Sequence, residues 1–446
     1  NYDPSDNNFN CNGIVGPDRQ LNPHAYELAY QYQNIWAEMK DAKRGVVSVH
    51  NEYFFRDLSN YCLAWSLLVD GEEKQHGTLA DINVLPQQTR TFTLPYDLSQ
   101  IDGHEVLLNV DFRLKRAEPL MEAGQVVAYA QLPVAEKQAP AADGGSRQRV
   151  KMKIDNPKNG DAVTVTASSV VLRVDKHTGL LREYVVGGRS VLGEGGTLKP
   201  NFWRAATDND MGAQLQKKFK NWKRPEMQLT AIDVKNLKKE GEVWIACHYS
   251  LPSVKAHLSL HYLLDGTSGK LSVVENMEPA DSVVQVSDMY RFGVVLQLPY
   301  SLDRSTYYGR GPVENYSDRK DCMRIGIYSS DADNQYFPYI RPQESGTKSD
   351  MRWWKQTSSD GWGIKVESPQ PFYASALHFD TEELDDGDAK EQRHSFNLRK
   401  SRFTNLFLDG EHSGIAGTNS WGAWPLPPYR VHFGEKCFEF TITPVK

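Results

Sequence analysis

The length, composition and charge of the chain exclude several classes of protein. It has 446 residues, 39% hydrophobic and 24% charged, which is a globular composition and enough chain for about three domains. The formal net charge of -6 argues against nucleic acid as a partner, because nucleic-acid binding needs a basic face. Since the sequence contains no apolar run of membrane length, we also expect no membrane partner.

The five cysteines are odd in number and widely spaced. That pattern argues against a disulfide framework and against a zinc site, which needs close pairs of ligands. We expect the cysteines to be small apolar side chains, buried or half-buried. Their usage fits the cytoplasm. A periplasmic location stays open, because Asn1 is not a methionine and we expect the chain to be cut from a longer protein.

Near its start, the sequence predicts one helix. Asn22 is suited to the N-cap and Pro23 to the first helical position, where its missing N–H costs nothing. Apolar and aromatic residues such as Tyr30 then recur at helical spacing. A loop followed by a helix over residues 23–40 is typical of the end of an α/β unit.

From Gly45 onward the period changes from helical to alternating, which indicates strands. The alternation is clear in four segments, residues 47–53, 63–69, 89–94 and 105–114. The pair Asp70-Gly71 after the second segment is a hairpin signal. Several short strands within about a hundred residues favour an immunoglobulin-like β-sandwich.

Residues 135–150 are rich in Ala, Pro and Gly, a composition typical of a linker. Beyond them strands resume, and we predict them over residues 162–174, 243–251, 256–264, 270–276, 287–298 and 438–445. Turns such as residues 175–179 lie between them. Together these segments predict a large all-β domain, near the upper size limit for a single domain.

Two polar loops could carry chemistry. Asn12-Gly13 is most often a simple turn, but it could also present a carboxamide and backbone carbonyls to a site. Asp208, Asn209 and Asp210 resemble the start of a calcium loop, yet the remaining ligands are missing. Adjacent carboxylates in one loop do not make a glycosidase pair either. Helix capping or a turn is an equally open interpretation.

Glu314 and Glu344 lie in two strings that are dense in aromatic, acidic and basic residues. The two could act as acid and nucleophile of a hydrolase. The competing hypothesis, which we favour, is a buried structural network in which arginine pairs with carboxylate. A phosphate-binding Gly loop, a His-rich metal site and a Gly-x-Ser-x-Gly elbow are all missing from the sequence.

Trp421 lies in a loop rich in Gly and Pro that also contains Trp424. An indole exposed on such a loop suits the apolar face of a sugar ring, while its N–H stays able to form a hydrogen bond. A core tryptophan beneath the loop is the alternative, and the pattern alone slightly favours it.

Four longer strings connect these segments to one family. They are Tyr308-Gly-Arg-Gly-Pro-Val-Glu-Asn-Tyr-Ser-Asp-Arg319, Tyr339-Ile-Arg-Pro-Gln-Glu-Ser-Gly346, Arg204-Ala-Ala-Thr-Asp-Asn-Asp-Met-Gly212 and Asn51-Glu-Tyr-Phe-Phe-Arg-Asp-Leu-Ser-Asn-Tyr61. With them the chain resembles the C-terminal portion of glycoside hydrolase family 2, specifically its long, five-domain, lactose-cleaving β-galactosidases. The resemblance covers essentially the whole chain.

The resemblance implies a mainly β fold. Residues 1–38 would be the last loop and helix of a (β/α)₈ barrel, and residues 39–134 an immunoglobulin-like β-sandwich. After a linker at residues 135–151, residues 152–446 would form a large β-supersandwich with a topology similar to galactose mutarotase.

The resemblance also implies that the intact protein is an enzyme, which hydrolyses terminal non-reducing β-D-galactosides with retention of configuration. In the family both catalytic glutamates lie upstream of the segment matched here. We therefore expect no catalytic residue in this chain and no activity from the chain alone. Glu314 and Glu344 match no catalytic position.

An ion site is implied at the start of the chain. Phe9, by its backbone carbonyl, and Asn12, by its side chain, match positions that complete a sodium site, and Asn12 also approaches the sugar. A hard cation with oxygen ligands fits both groups. Asn10-Cys11 departs from the family pattern, in which Cys-Met is typical. Magnesium is expected in the intact enzyme, with ligands outside this chain.

Contacts with substrate and partners are implied as well. Trp421 matches an aromatic platform that stacks on the aglycone. The start of a mobile loop that borders the pocket is matched by Asp208, Asn209, Asp210 and Gly212. The implied partners are the galactoside, the upstream barrel and N-terminal domains of the same protein, and further copies of it in a homo-oligomer.

Two other functions stay open. The chain could be a stand-alone carbohydrate-binding β-sandwich module that uses Trp421. It could also be a mutarotase-like epimerase, which would need a His/Glu acid–base pair in one pocket. No such pair can be assembled from the sequence.

Overall fold

The computed structural model describes residues 11, 13–99, 101–137, 150–237, 241–281, 285–389, 393–415, 417–419 and 421–445. Among them the fold is mainly β, as the sequence predicts. They divide into two compact units. The smaller unit contains the described residues between Ile14 and Gly145 together with Asp321–Ile327, and the larger unit contains the others.

The smaller unit holds one helix and seven strands. Their bounds are α1 Pro23–Gln31, β1 Ile35–Asp41, β2 Val46–Asn51, β3 Tyr61–Val69, β4 Glu72–Leu79, β5 Thr89–Thr93, β6 Val106–Leu114 and β7 Val126–Ala135. The strands form one sheet of order β1-β2-β5 and one of order β4-β3-β6-β7. All their pairings are antiparallel.

One hydrophobic core lies between these two sheets. It contains Val47 and Val49 from β2 and Leu63 and Leu67 from β3, all inaccessible to solvent. Along β3 buried residues alternate with partly exposed ones, so the sheet buries one face, as expected for an antiparallel sandwich. The predicted immunoglobulin-like sandwich is therefore present.

The predicted helix over residues 23–40 is correct only in its first half. Asn22 is the N-cap and Pro23 lies in the first turn, but the helix ends at Gln31. The extension to Lys40 is wrong, because Ile35 begins β1 and is buried in the sandwich core. The hydrogen-bonded pairing of this segment with β2 overrides the helical preference that its sequence spacing indicates. The assignment of α1 to the end of a barrel stays a prediction.

The remaining elements follow in chain order. They are β8 Met152–Asp155, β9 Ala162–Ala167, β10 Val170–Asp175, β11 Leu181–Val186, β12 Arg189–Ser190, β13 Leu198–Asn201, α2 Asp208–Gly212, α3 Leu215–Lys218, β14 Gln228–Leu237, β15 Glu242–Leu251, β16 Ala256–Asp265, β17 Leu271–Pro279, β18 Arg291–Pro299, β19 Arg304–Gly311, β20 Arg324–Asp331, β21 Lys348–Thr357, β22 Gly363–Leu377, α4 Thr381–Leu384, β23 Phe403–His412 and β24 Lys436–Val445.

The larger unit is built on two sheets. A five-stranded sheet has the order β12-β11-β10-β9-β8, and the main path of a twelve-stranded sheet has the order β13-β18-β23-β22-β24-β17-β16-β15-β14. Their buried faces share one core, to which Val163 and Leu172 contribute from the small sheet and Leu258 and Leu260 from the large one. Along β16 buried residues alternate with more exposed ones, which is the pattern that predicts strands here.

Most predicted strands of this unit are confirmed, but two predictions need correction. Residues 162–174 form a hairpin rather than one strand, because the chain turns at Ser168, whose φ is 47°. The strand predicted from residue 287 begins only at Arg291. The sequence has no Gly or Pro at either of these two strand boundaries to mark them. Residues 138–149 of the predicted linker lie outside the described residues.

None of the five cysteines, all of which the structure describes, forms a disulfide. Cys247 and Cys322 are buried, and Cys11 and Cys62 are partly buried, as predicted. Cys437 is exposed, so the prediction is wrong there. It lies on β24, where side chains alternate between a covered and an accessible face.

Candidate functional site

Trp421 is exposed on the larger unit, with 81% of its surface accessible. Its backbone N–H donates to Oδ1 of Asn419 at 2.9 Å. The next residue, Gly422, has a φ of 111°, a conformation that favours glycine. This exposure rules out the alternative of a core tryptophan. The described residues of the segment 413–430 are called the Trp421 loop below.

Trp424 fixes the second half of the Trp421 loop. The ring of Phe219 meets the ring of Trp424 edge to face, with centroids 5.6 Å apart. Nζ of Lys218 lies 4.8 Å and Cζ of Arg430 lies 4.9 Å from the centre of the same indole ring, which is within cation–π range. Nε of Arg430 also donates to the carbonyl of Pro425 at 2.6 Å. The chain after Trp421 is thus held by its own aromatic anchor.

Arg204 holds the first half of the loop. Its Nη1 donates to the carbonyl of Ser413 at 2.8 Å, and its Nη2 donates to the carbonyl of Gly414 at 2.9 Å. The N–H of Ile415 donates to Oδ1 of Asp318 at 3.1 Å. These bonds satisfy backbone groups that no strand pairs, so residues 413–415 have a defined course at the start of the loop.

The acidic residues 208 and 210 belong to a capped helix. Thr207 is the N-cap of α2 and forms a capping box with Asp210. The buried carboxylate of Asp210 accepts from Nε and Nη2 of Arg204 at 3.0 and 2.8 Å. Asp208 accepts from Nε of Arg341 at 3.2 Å. Since both carboxylates pair with arginine, their contacts fit the capping interpretation rather than a calcium loop.

Asn209 and Gly212 of α2 lie against the Trp421 loop. Nδ2 of Asn209 donates to the carbonyl of Ile415 at 3.0 Å. A Cβ atom placed on Gly422 would lie 3.5 Å from the carbonyl oxygen of Gly212. The structure therefore brings two of the site predictions together, the acidic segment and Trp421, although they are about two hundred positions apart in sequence.

Glu314 is buried and surrounded by donors. Its Oε1 accepts from Nη2 of Arg319 at 2.7 Å and from the hydroxyl of Tyr339, and its Oε2 accepts from the N–H of Gly346 at 2.7 Å. Burial raises the pKa of Tyr339 well above its usual value, so this hydroxyl stays protonated and donates. Three donors on one carboxylate fit a structural role.

Glu344 lies in a second buried cluster. Its Oε1 accepts from Oγ1 of Thr347 at 2.7 Å, and its Oε2 lies 3.6 Å from Nη1 of Arg291. Arg291 in turn donates to both oxygens of Asp409, at 3.0 and 2.7 Å. His412 is the neighbouring base, and burial lowers its pKa far below the usual value, so its ring is neutral. Glu344 thus also occupies a structural position.

The predicted ion site falls outside the described residues, because neither Phe9 nor Asn12 is among them. The sodium site and the sugar contact of Asn12 stay predictions. Within the described part of the chain, no group of three or more His, Cys, Asp or Glu side chains is arranged to hold a metal ion.

Sequence reasoning does not identify Arg204 and Trp424 as the supports of the Trp421 loop. A local signal exists for Trp424, because a second tryptophan three positions after the first, before a Pro-rich run, is suited to anchoring a loop. The contact between Arg204 and Ser413 spans 209 positions, and no local pattern reports such a separation.

The sequence matches the models of two protein families. The family "Beta galactosidase small chain" matches residues 166–443, and "Beta-galactosidase, domain 4" matches residues 47–135. The first match covers more than half of the chain, and the second covers most of the smaller sandwich. The chain therefore belongs to the β-galactosidase family.

Curated relatives agree with this assignment. A β-galactosidase of Priestia megaterium is 27% identical over 446 residues, which covers 99% of this chain and 42% of the relative. A β-galactosidase of Lactobacillus delbrueckii subsp. bulgaricus is 29% identical over 427 residues and covers 96% of this chain and 40% of the relative. The chain thus spans about two fifths of the length of these relatives.

Solved structures that resemble the chain include two sugar-epimerase-related proteins. One is a putative aldose 1-epimerase from Escherichia coli K12, with a TM-score of 0.34 and 10% identity, covering 66% of this chain and 99% of that one. The other is a galactose mutarotase-like protein from Lactobacillus casei, with a TM-score of 0.35 and 13% identity, covering 64% and 100%.

No helix in the described part of the chain combines the length and the apolar character needed to cross a bilayer.

Proposed function

We propose that the chain is the C-terminal region of a retaining β-galactosidase that hydrolyses terminal non-reducing β-D-galactosides, and that Trp421 stacks on the aglycone. The observation that carries this proposal is the exposed indole of Trp421 on a loop held at both ends. Membership of the β-galactosidase family supports the proposed substrate class.

Stacking needs a flat apolar surface in a fixed place. The C–H faces of a sugar or of an aromatic aglycone pack on an indole, whose N–H can still form a hydrogen bond. Because Arg204 and Trp424 already order the loop, little conformational freedom is lost when substrate arrives. Such preorganisation also positions the scissile bond, where small displacements cost rate.

The hydrolytic carboxylates are proposed to lie outside this chain. A retaining mechanism uses two carboxyl groups about 5–5.5 Å apart, one as nucleophile and one as acid and then base. Glu314 and Glu344 are buried and engaged by Arg319, Tyr339 and Arg291, so neither is available to attack a sugar. The chain alone is expected to be inactive.

Sodium at Phe9 and Asn12 and magnesium at ligands outside the chain stay part of the proposal. Carbonyl and carboxamide oxygens are the donors that a hard monovalent cation takes. A homo-oligomer and contact with upstream barrel and N-terminal domains are proposed on the family relationship alone.

The decisive experiment measures hydrolysis of o-nitrophenyl β-D-galactoside by the intact protein with Trp421→Ala. We expect kcat/KM to fall about tenfold, because an aromatic stack contributes up to about 1.5 kcal/mol. Trp421→Phe should restore most of the activity. The control is Phe396→Ala, which removes another aromatic side chain that is 83% exposed and should leave kcat/KM unchanged. Equal losses in both alanine variants would contradict the proposal.

A second assay separates the proposal from its rivals. Galactosidase activity in the chain alone, lost in Glu314→Gln, would show that the chemistry has been placed wrongly. Galactose binding by the chain alone that disappears in Trp421→Ala would favour a stand-alone carbohydrate module. Aldose mutarotation by the chain would favour an epimerase, although the His412 and Glu344 side chains, 3.8 Å apart, are both buried.

A further inference from the structure

The second half of the Trp421 loop exposes a run of apolar residues, called the apolar ridge below. It consists of four consecutive exposed residues, Leu426, Pro427, Pro428 and Tyr429. The accessible fraction is 53% for Leu426 and 37% for Tyr429. Trp421, which is exposed as well, lies five positions before Leu426. Exposed apolar residues that follow one another on a soluble protein mark a site of interaction.

The backbone of the apolar ridge is held in place from within the larger unit. The N–H of Gly414 donates to the carbonyl of Tyr429 at 2.7 Å. Nε2 of His432 lies 3.2 Å from the carbonyl of Pro427. The last three residues of the ridge form a short 3₁₀-helix, in which the two proline rings restrict the backbone. Because the ridge is already ordered, it loses little conformational freedom when a partner covers it.

The polar residues that follow the apolar ridge in sequence bind groups of this chain. Nε of Arg430 donates to the carbonyl of Pro425 at 2.6 Å, and its guanidinium lies over the ring of Trp424. Nδ1 of His432 lies 3.0 Å from Oδ1 of Asp288. The core of a protein–protein interface is poor in charged residues and rich in aromatic ones. The ridge therefore suits an apolar protein surface.

The length of the relatives indicates which surface covers the ridge. The chain spans only 42% and 40% of the two relatives described above, so the larger part of their length has no counterpart here. The catalytic carboxylates are proposed to lie in that part, and Trp421 can serve them only if that part lies against its loop. A second copy of this chain on the ridge would stand beside Trp421, in the space that the carboxylates have to occupy.

We propose that the apolar ridge docks on the upstream part of the same protein, the part that carries the catalytic carboxylates. This inference rests on the function proposed above. Leu426 and Tyr429 are positioning residues in it, because they touch no substrate and act by fixing where Trp421 stands. The ridge thus supplies the contact through which Trp421 is placed at the active site.

Hydroxyl-radical labelling read by mass spectrometry tests the docking directly, in the intact protein and in this chain alone. We expect the rates at which Leu426 and Tyr429 are modified to be about tenfold lower in the intact protein, because an interface core excludes water. Phe396, 83% exposed on the same unit, is the matched control and should react equally in both. No substrate is present, so the result does not depend on stacking by Trp421.

A substitution on the ridge tests what the docking does. Leu426→Asp should leave the melting temperature of this chain alone unchanged, because the side chain is exposed. In the intact protein it should lower kcat/KM for o-nitrophenyl β-D-galactoside about tenfold, since small displacements at an active site cost rate. Leu426→Met keeps an apolar side chain and should retain the activity. Phe396→Asp adds the same charge away from the ridge and should also retain it.

Equal labelling of the ridge in the intact protein and in this chain alone would overturn the proposal. So would protection in this chain alone that grows with its concentration, which would identify a second copy as the occupant. A lower melting temperature of this chain alone in Leu426→Asp would overturn it too, because Leu426 would then pack within the chain. Unchanged activity in Trp421→Ala would refute stacking and leave the protection of the ridge standing, so the two failures can be told apart.

Discussion

The Trp421 loop and the clusters around Glu314 and Glu344 use similar residue types in opposite ways. Around the two glutamates, charged and aromatic side chains point at one another and are buried. In the Trp421 loop, Arg204 and Trp424 hold the backbone and leave one indole exposed. A dense run of charged and aromatic residues thus indicates internal pairing here. An exposed aromatic residue that is held by its own anchors is instead accessible to a ligand or partner.

Both regions contain a buried arginine that pairs with a carboxylate. The largest expected effect comes from removing the one that anchors the Trp421 loop, Arg204. Arg204 is fully buried, and although burial by itself lowers its pKa, the neighbouring Asp210 raises it above the usual value. Arg204→Met leaves the Asp210 carboxylate buried without its partner. We expect the free energy of unfolding to fall by about 3–5 kcal/mol, measured by urea denaturation.

The control for this change is an exposed ion pair of the same chemistry. Arg189 lies 2.7 Å from Asp360, with about half of each side chain accessible. Arg189→Met should cost less than about 1 kcal/mol. Similar losses in the two variants would show that burial of the Arg204 pair is not what fixes the loop.

The second prediction uses pH to probe the Glu314 cluster. Lys348 is buried, and burial lowers its pKa to about 8, while the charge of Glu314 opposes the shift. Since the unfolded lysine titrates near 10.5, the unfolded state binds more protons between these values, and this lysine adds stability as pH rises through them. We expect the stability of Lys348→Met relative to the unmodified protein to fall by about 2 kcal/mol between pH 7.5 and 9.5.

Urea denaturation of both proteins at the two pH values measures this difference. Lys217→Met, at an exposed position of α3, corrects for general effects of removing a lysine. A difference between Lys348→Met and the unmodified protein that does not change with pH would mean that Lys348 is not desolvated in the fold.

The third prediction disturbs the entry to the Trp421 loop without touching a charge. A Cβ atom at Gly414 would lie 2.2 Å from Oδ2 and 2.4 Å from Cγ of Asp318. Gly414→Ala must therefore displace the carboxylate that accepts from Ile415. We expect a loss of about 1–3 kcal/mol in stability. Gly434→Ala, where a Cβ meets nothing within 4 Å, should be neutral, and equal melting temperatures for the two variants would refute the prediction.

The smallest expected effect on stability comes from Trp421→Ala, and it tests most directly whether the Trp421 loop differs from the buried clusters. Trp421→Ala should change the free energy of unfolding by no more than about 0.5 kcal/mol, because an exposed side chain contributes little to the core. Trp222→Ala, at a tryptophan with no accessible surface, should cost about 3–5 kcal/mol. A destabilised Trp421→Ala variant would mean that Trp421 packs within the protein and is not held for a ligand.

The sequence predicts strands correctly where buried and exposed residues alternate. It fails where the pairing between distant strands determines the secondary structure. Alternation in β3 and β16 places those strands closely, because each buries one face. The segment at Ile35 has helical spacing, yet it pairs with β2. A hairpin at Ser168 replaces a predicted single strand, since its turn contains neither Gly nor Pro. Strand partners are long-range information that no local window contains.

The candidate site shows the same division. The sequence singles out Trp421 and the acidic segment, but its local pattern slightly favours a core position for the tryptophan, and the structure exposes it. Whether Asp210 serves a ligand or a cap is decided by Arg204, which lies six positions away and is buried with it. Only packing reveals that the arginine turns inward.

One strand of the large sheet has a consequence for how the protein is made. β24, the last strand in chain order, lies between β17 and β22 in the middle of the sheet. While the ribosome is still translating residues 436–445, the strands on either side already exist but have no neighbour to join them. Their open edges are the kind of surface on which nascent chains aggregate. The large sheet therefore closes only after β24 has been synthesised and has entered the gap between β17 and β22.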